Sequence, residues 1–182
     1  MVDITMIPWL HAKAKKEAAR DRLKAAEMIG DVFAIVAIVA LILYFVSSQL
    51  SDSGFFTDGF GSLEAFFFYG AAILGIFPSA FRLILRRRNV VRPVEIGNSI
   101  FGIVAIIYLL SVFPFDFAHL ASPLPSIIQD AISWLTNDLA RLLMTFGVVL
   151  TAFVTAWMVM IYLAVRRVLE GRTDTGPSEN RG

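Results

Sequence analysis

Four long apolar stretches, at about 31–50, 63–85, 96–115 and 140–165, divide this chain of 182 residues. Each is about 20 residues or longer, and at a helical rise of about 1.5 Å per residue such a length crosses about 30 Å of hydrocarbon. The stretches predict an all-α protein with four transmembrane helices. Between them the charges fall in a strongly uneven pattern, and that pattern carries an orientation.

The chain has sixteen Lys and Arg, and all but Arg141 lie in three clusters. The first, Lys13 to Lys24, precedes the first stretch. The second, Arg82 to Arg92, follows the second stretch, and the third, Arg166 to Arg181, follows the fourth. The other two connections hold Arg141 against Asp52, Asp58, Glu64, Asp116, Asp130 and Asp138. Lys and Arg beside a span resist translocation, so the basic sides are expected in the cytoplasm. Four spans with both termini inside satisfy all three clusters, whereas an odd number would place one of them outside. The expected location is a multi-pass protein of the cell (inner, cytoplasmic) membrane.

The same logic removes a competing reading. Basic clusters can mark nucleic-acid binding, but each one here abuts an apolar span and is explained by topology. No nucleic-acid partner is expected. With 57% hydrophobic residues and a mean hydropathy of +0.71, the chain is too apolar for an ordinary soluble domain. It has no cysteine, which excludes disulfides, thiolate metal sites and thiol chemistry. A long basic stretch precedes the first span and no small-residue cleavage site follows a short one. The first span is therefore expected to act as its own uncleaved targeting signal.

Three segments flank the spans. Residues 1–29 are expected to be a cytoplasmic basic region, helical over 8–29, with Pro8 at its first turn and Trp9 as an aromatic anchor. It either lies on an anionic leaflet or extends the first span into solvent. The four-span region covers 30–170. The first outer connection carries Phe55, Phe56 and Phe60 and the second Phe113, Phe115 and Phe117, all expected at the membrane interface. Over 125–139, Ile127, Ile128, Ala131, Ile132, Leu135 and Leu139 recur at helical spacing, which predicts an amphipathic helix on the outer surface leading into the fourth span. Residues 171–182 are polar and contain Gly and Pro, and are expected to be a disordered cytoplasmic tail.

Ionisable groups are costly at mid-membrane and are kept there for function. None lies near the centre of any stretch. Asp31, Glu64, Arg82, Glu95, Asp116 and Arg141 all fall at or near span ends, where they can snorkel or pair. This argues against coupled transport and intramembrane catalysis. No catalytic grouping, cofactor motif or metal-ligand set is present, so no cofactor, metal or catalytic residue is expected. An outer polar site could still form from Asp116, His119, Asp138 and Arg141, with Asp138 and Arg141 able to pair at the bend.

The spans do carry small residues at packing intervals: Ala71, Gly75 and Ser79 in the second, and Gly147, Thr151 and Thr155 in the fourth. Small residues four apart let helix backbones approach closely. Pro78 removes a backbone donor and is expected to kink the second span. Phe33–Val39 and Phe101–Ile107 also resemble each other, as two halves of a duplicated hairpin would. The leading functional expectation is a non-enzymatic membrane protein acting by helix packing, as a homo-oligomer or an accessory subunit of a larger membrane complex. An oligomeric channel lined by small and hydroxyl residues is the alternative. A lipid-binding protein or membrane enzyme using the outer polar residues is the third.

Overall fold

The computed structural model describes Ala12, Lys13, Lys16 and residues 23–174. Among them the chain is all-helical: α1 (Ala25–Leu50), α2 (Ser62–Leu85), α3 (Arg88–Val112), the short α4 (Ser126–Ile132) and α5 (Asn137–Asp174). A single 3-10 turn, Phe117–His119, lies before α4. Four of the helices are long and apolar enough to cross a membrane. That is the architecture of a multi-pass membrane protein. One end of the long helices carries the arginine-rich α2–α3 turn and the other the phenylalanine-rich loops; they are called here the arginine end and the aromatic end.

The helix limits differ from the hydropathy limits for local reasons. Lys24 is extended, with φ −83° and ψ 154°, and its N–H donates to the Glu27 carboxylate at 3.1 Å. α1 therefore starts at Ala25, and residues 25–29 belong to the first spanning helix rather than to a basic region reaching 29. Of the expected helix over 8–29, Ala12, Lys13 and Lys16 are helical, while Pro8 and Trp9 lie outside the described residues. At the start of α2, Glu64 accepts from the Gly61 N–H at 2.9 Å, the return contact of a capping box.

The third helix departs furthest from expectation. It begins at Arg88, eight residues before the apolar stretch, because the α2–α3 connection is only Arg86 and Arg87. Arg86 adopts the left-handed conformation at φ 52° and closes α2 by donating to the Arg82 carbonyl at 2.9 Å. Arg88, Arg92 and Glu95 are thus helical positions, not a loop. The helix stops at Val112 instead of 115, since Phe113 is left-handed at φ 45° and Pro114 follows.

The outer amphipathic helix expected over 125–139 is shorter and broken. α4 has seven residues and ends at Ile132. Ser133 Oγ then donates to the Asp130 carbonyl and Trp134 Nε1 to the Ala131 carbonyl, both at 2.8 Å, so side chains take the place of continuing backbone bonds. α5 starts afresh at Asn137, with the Leu139 N–H on Thr136 Oγ1. At its other end α5 runs to Asp174, four residues into the segment expected as tail. Leu169, Glu170 and Arg172 are good helix formers and carry the helix across Gly171. Residues 175–182 lie outside the described residues.

The long helices pack in chain order. α2 lies between α1 and α3, α3 lies between α2 and α5, and α1 and α5 share no comparable interface. The result is an open row of four. Its inner faces are recognisable from burial: Asp31 and Ser48 are buried on α1, Pro78 and Ser79 on α2, Ala105 and Leu109 on α3, and Thr155, Ile161, Ala164 and Val165 on α5.

The row is closed at its aromatic end by the two loops. Thr57 N–H donates to the Pro114 carbonyl at 3.2 Å and Asp116 N–H to the Phe55 carbonyl at 2.7 Å, around an antiparallel bridge of Phe56 with Phe115. Phe55 and Phe115 stack at 5.5 Å and are almost fully buried. Phe45, Phe56, Phe60, Phe68 and Phe117 surround them. The loop phenylalanines expected at a lipid interface therefore point into the protein. Three or more edge-to-face and stacked ring pairs, each about 0.5–1.5 kcal/mol beyond area burial, bind the loops together.

Candidate functional site

The most highly organised polar site joins three helices near the arginine end. Arg82 of α2 reaches Asp31 of α1 with Nε at 2.9 Å from Oδ1 and 3.1 Å from Oδ2, and Nη2 at 2.5 Å from Oδ1. Its Nη1 donates to Glu95 of α3, and its Nη2 also reaches Ser79 Oγ at 3.2 Å. The Asp31 side chain is only 8% exposed and that of Arg82 28%. A planar guanidinium fits this role because it can hold one carboxylate bidentately and still donate to another.

Each helix supplies its member by register. Asp31 is buried in the first two turns of α1, and Arg82 follows Ser79 by three residues, one turn along the same α2 face. Glu95 can meet Arg82 only because the two-residue turn folds α3 directly back along α2. From sequence alone these residues stand near span ends, with nothing in their spacing to join them. One signal was present: four spans put the start of the first and the end of the second on the same side, with opposite charges inside each.

Around this network lies a cavity of about 390 Å³, lined among the described residues by Leu23, Glu27, Gly30, Asp31, Arg82, Arg92 and Glu95. A second cavity, of about 260 Å³, shares Arg92 and Glu95 and continues to Lys13, Trp157, Met158 and Ile161. Lys13 Nζ sits 4.6 Å from the centre of the Trp157 ring, a cation–π contact.

At the aromatic end the residues expected as an outer polar site divide. Asp116 and His119 do meet, at 3.1 Å between Oδ2 and Nδ1. Asn137, which sequence reasoning did not single out, completes the group: it donates to Asp116 Oδ1 at 3.3 Å and accepts from the Phe117 N–H at 2.7 Å. The Ala118 N–H, then His119 and Asn137, hold the Asp116 carboxyl below its ordinary value. Asp138 and Arg141 do not pair. The Arg141 guanidinium instead lies 4.2 Å from the Phe113 ring centre, where a desolvated face competes with a solvated carboxylate. A further polar pair went unnoticed in the sequence: Tyr108 donates to the buried Glu64 at 2.6 Å, joining α3 to the start of α2.

The small residues also divide. Ala71 and Gly75 line the groove against α1, where a Cβ on Gly75 would stand 3.7 Å from Ile38 Cδ1. Ser79 belongs to the Arg82 network. A Cβ on Gly147 would meet nothing within 4 Å, and Thr155 donates to the Thr151 carbonyl of its own helix at 2.7 Å. Pro78 is buried and α2 continues through it from Ser62 to Leu85. Among the described residues no group of three or more potential ligands is placed to hold a metal ion. Comparisons with protein-family models, curated proteins and solved structures gave no match to this chain.

Proposed function

We propose that this chain is a non-enzymatic, four-span protein of the cytoplasmic membrane, with both termini in the cytoplasm, that works by helix packing as a homo-oligomer or as a subunit of a larger membrane complex. The observation that carries this reading is the open row. Among the described residues α1 and α5 stand at its two edges and share no extensive interface, and Phe33, Val36 and Leu43 of α1 and Phe146, Val149 and Phe153 of α5 are all more than half exposed. Gly30, Ala34 and Ala37 of α1 also lie exposed, so close helix approach there is left for another chain. The clustered Lys and Arg support the orientation.

The channel reading receives less support. Thr155, one of the hydroxyls that would line a pathway, spends its proton on its own helix backbone. Native mass spectrometry from lipid nanodiscs tests the assembly reading. Masses at multiples of 20.2 kDa, or with a stoichiometric second chain, are expected; a species of 20.2 kDa alone at every protein concentration refutes it.

A further inference from the structure

Asn98 of α3 stands three residues beyond Glu95, about 4.5 Å further along the helix and within the apolar stretch 96–115. Its carboxamide offers two donors and an acceptor, and among the described residues its side chain makes no hydrogen bond. Other polar groups of the spans meet partners inside the chain: Ser79 meets Arg82, Tyr108 meets Glu64, Tyr69 meets Gln49 and Thr155 meets the Thr151 carbonyl. Asn98 has a single side-chain methylene, too short to lift its amide to the interface as Lys and Arg do. An amide held in hydrocarbon without a hydrogen bond is costly. It borders a lateral groove of about 230 Å³ between α2 and α3, lined also by Leu74, Phe77, Phe81, Val94 and Gly97. The groove is accessible from outside: a Cβ on Gly97 would meet nothing within 4 Å, and the half-exposed Ile100 and Val104 continue the Gly97 face of α3.

We infer that this groove receives the same face of a second copy of the chain, with the two Asn98 amides hydrogen-bonded to each other across a twofold axis along the membrane normal. The chemistry of the amide selects the occupant. Acyl chains that fill the groove leave both donor and acceptor unmet, whereas a carboxamide is its own complement, each nitrogen donating to the other oxygen. Copies inserted in the same direction hold Asn98 at equal depth, as an isologous contact requires. Hydrogen bonds between amides on neighbouring spans favour helix association, and a glycine beside them lets the backbones come close. Asn98 and Gly97 are adjacent on α3, so one face supplies both. The inference rests on the homo-oligomer form of the proposed function and adds a contact face distinct from the edges of the row at α1 and α5.

The test measures self-association of the full chain in liposomes by energy transfer over a series of protein-to-lipid ratios. The chain has no cysteine, so Asp58→Cys on the exposed first loop takes the donor or acceptor dye. Asn98→Leu should weaken association by about tenfold. Asn98→Gln keeps a carboxamide and should associate within about threefold of the parent. Gly97→Leu should also weaken association by about tenfold, because the side chain is free to fit in one copy and obstructs only the second. Circular dichroism and detergent-induced unfolding show that each variant is folded. Loss with Asn98→Leu and Gly97→Leu, and recovery with Asn98→Gln, supports the contact. A parent that associates while Asn98→Leu and Gly97→Leu associate equally well overturns this inference and leaves assembly through α1 and α5 standing. A parent that stays monomeric at every ratio overturns this inference together with the homo-oligomer reading.

Discussion

At the scale of single residues, Arg82 decides more than any other side chain. It neutralises a buried Asp31 and ties three helices in one contact set. Removing one partner of a buried ion pair leaves the other charged and unpaired, which costs about 3–5 kcal/mol. Because Arg82 keeps part of its side chain exposed, Arg82→Leu is expected to destabilise the protein by about 3 kcal/mol, the low end of that range. Unfolding by titrated denaturing detergent measures it. Asp31→Asn added to Arg82→Leu should recover part of the loss, since the uncompensated charge is then gone. An Arg82→Leu protein as stable as the parent would show that the network contributes nothing.

Asp116 gives a pH dependence of defined sign. Its folded carboxyl titrates below its ordinary value because the Ala118 N–H, His119 and Asn137 favour the charged form. The unfolded chain therefore binds this proton first as pH falls. The stabilisation is fully present above the ordinary carboxylate range and is lost as pH drops through the lowered folded value. Protection of the 113–125 loop, followed by hydrogen exchange or limited proteolysis, should fall on acidification in the parent. Asp116→Asn should flatten that acid limb; an unchanged limb in the variant assigns it to other groups.

At the scale of elements, hydropathy located the four spans but misjudged their ends. It could not register Lys24, Arg86 or Phe113, whose backbone conformations start or stop helices regardless of polarity. Nor could it separate α4 from α5, where Ser133 and Trp134 interrupt a run whose helical period was real. The candidate site was hidden for a related reason. Asp31, Arg82 and Glu95 were each legible as span-end charges, but their meeting depends on the two-residue turn and on helix rotation. The likeness of Phe33–Val39 to Phe101–Ile107 does not extend to packing. Phe33 is 71% exposed, whereas Phe101 lies against Phe67 at 6.0 Å.

Helix contact at Gly75 yields a graded prediction. A Cβ there would stand in ordinary van der Waals contact with Ile38. Gly75→Ala should therefore fold at least as stably as the parent, with a helix-propensity gain of up to about 1 kcal/mol. Gly75→Ile should push α1 from α2 and destabilise by about 1–3 kcal/mol through overpacking. Detergent-induced unfolding of the pair checks it, and equal stability of the two variants would place Gly75 away from any close interface.

At the scale of the whole molecule, two kinds of cohesion hold the row. Buried aromatic rings join the loops at one end, and a charged network joins α1, α2 and α3 at the other. Between them, among the described residues, the long helices pack extensively only on their sequence neighbours, which leaves broad outward faces on α1 and α5. Absence of cysteine makes those faces directly testable. Ala37→Cys on the exposed face of α1 and Ile38→Cys on its α2-facing side form a matched pair one residue apart. Oxidative cross-linking in native membranes should join Ala37→Cys to a second copy, or a thiol-reactive cross-linker should join it to a partner chain, and leave Ile38→Cys unlinked. Failure of Ala37→Cys and of matching cysteines on the exposed face of α5, at Val149 and Phe153, to form any interchain product would contradict assembly through these faces.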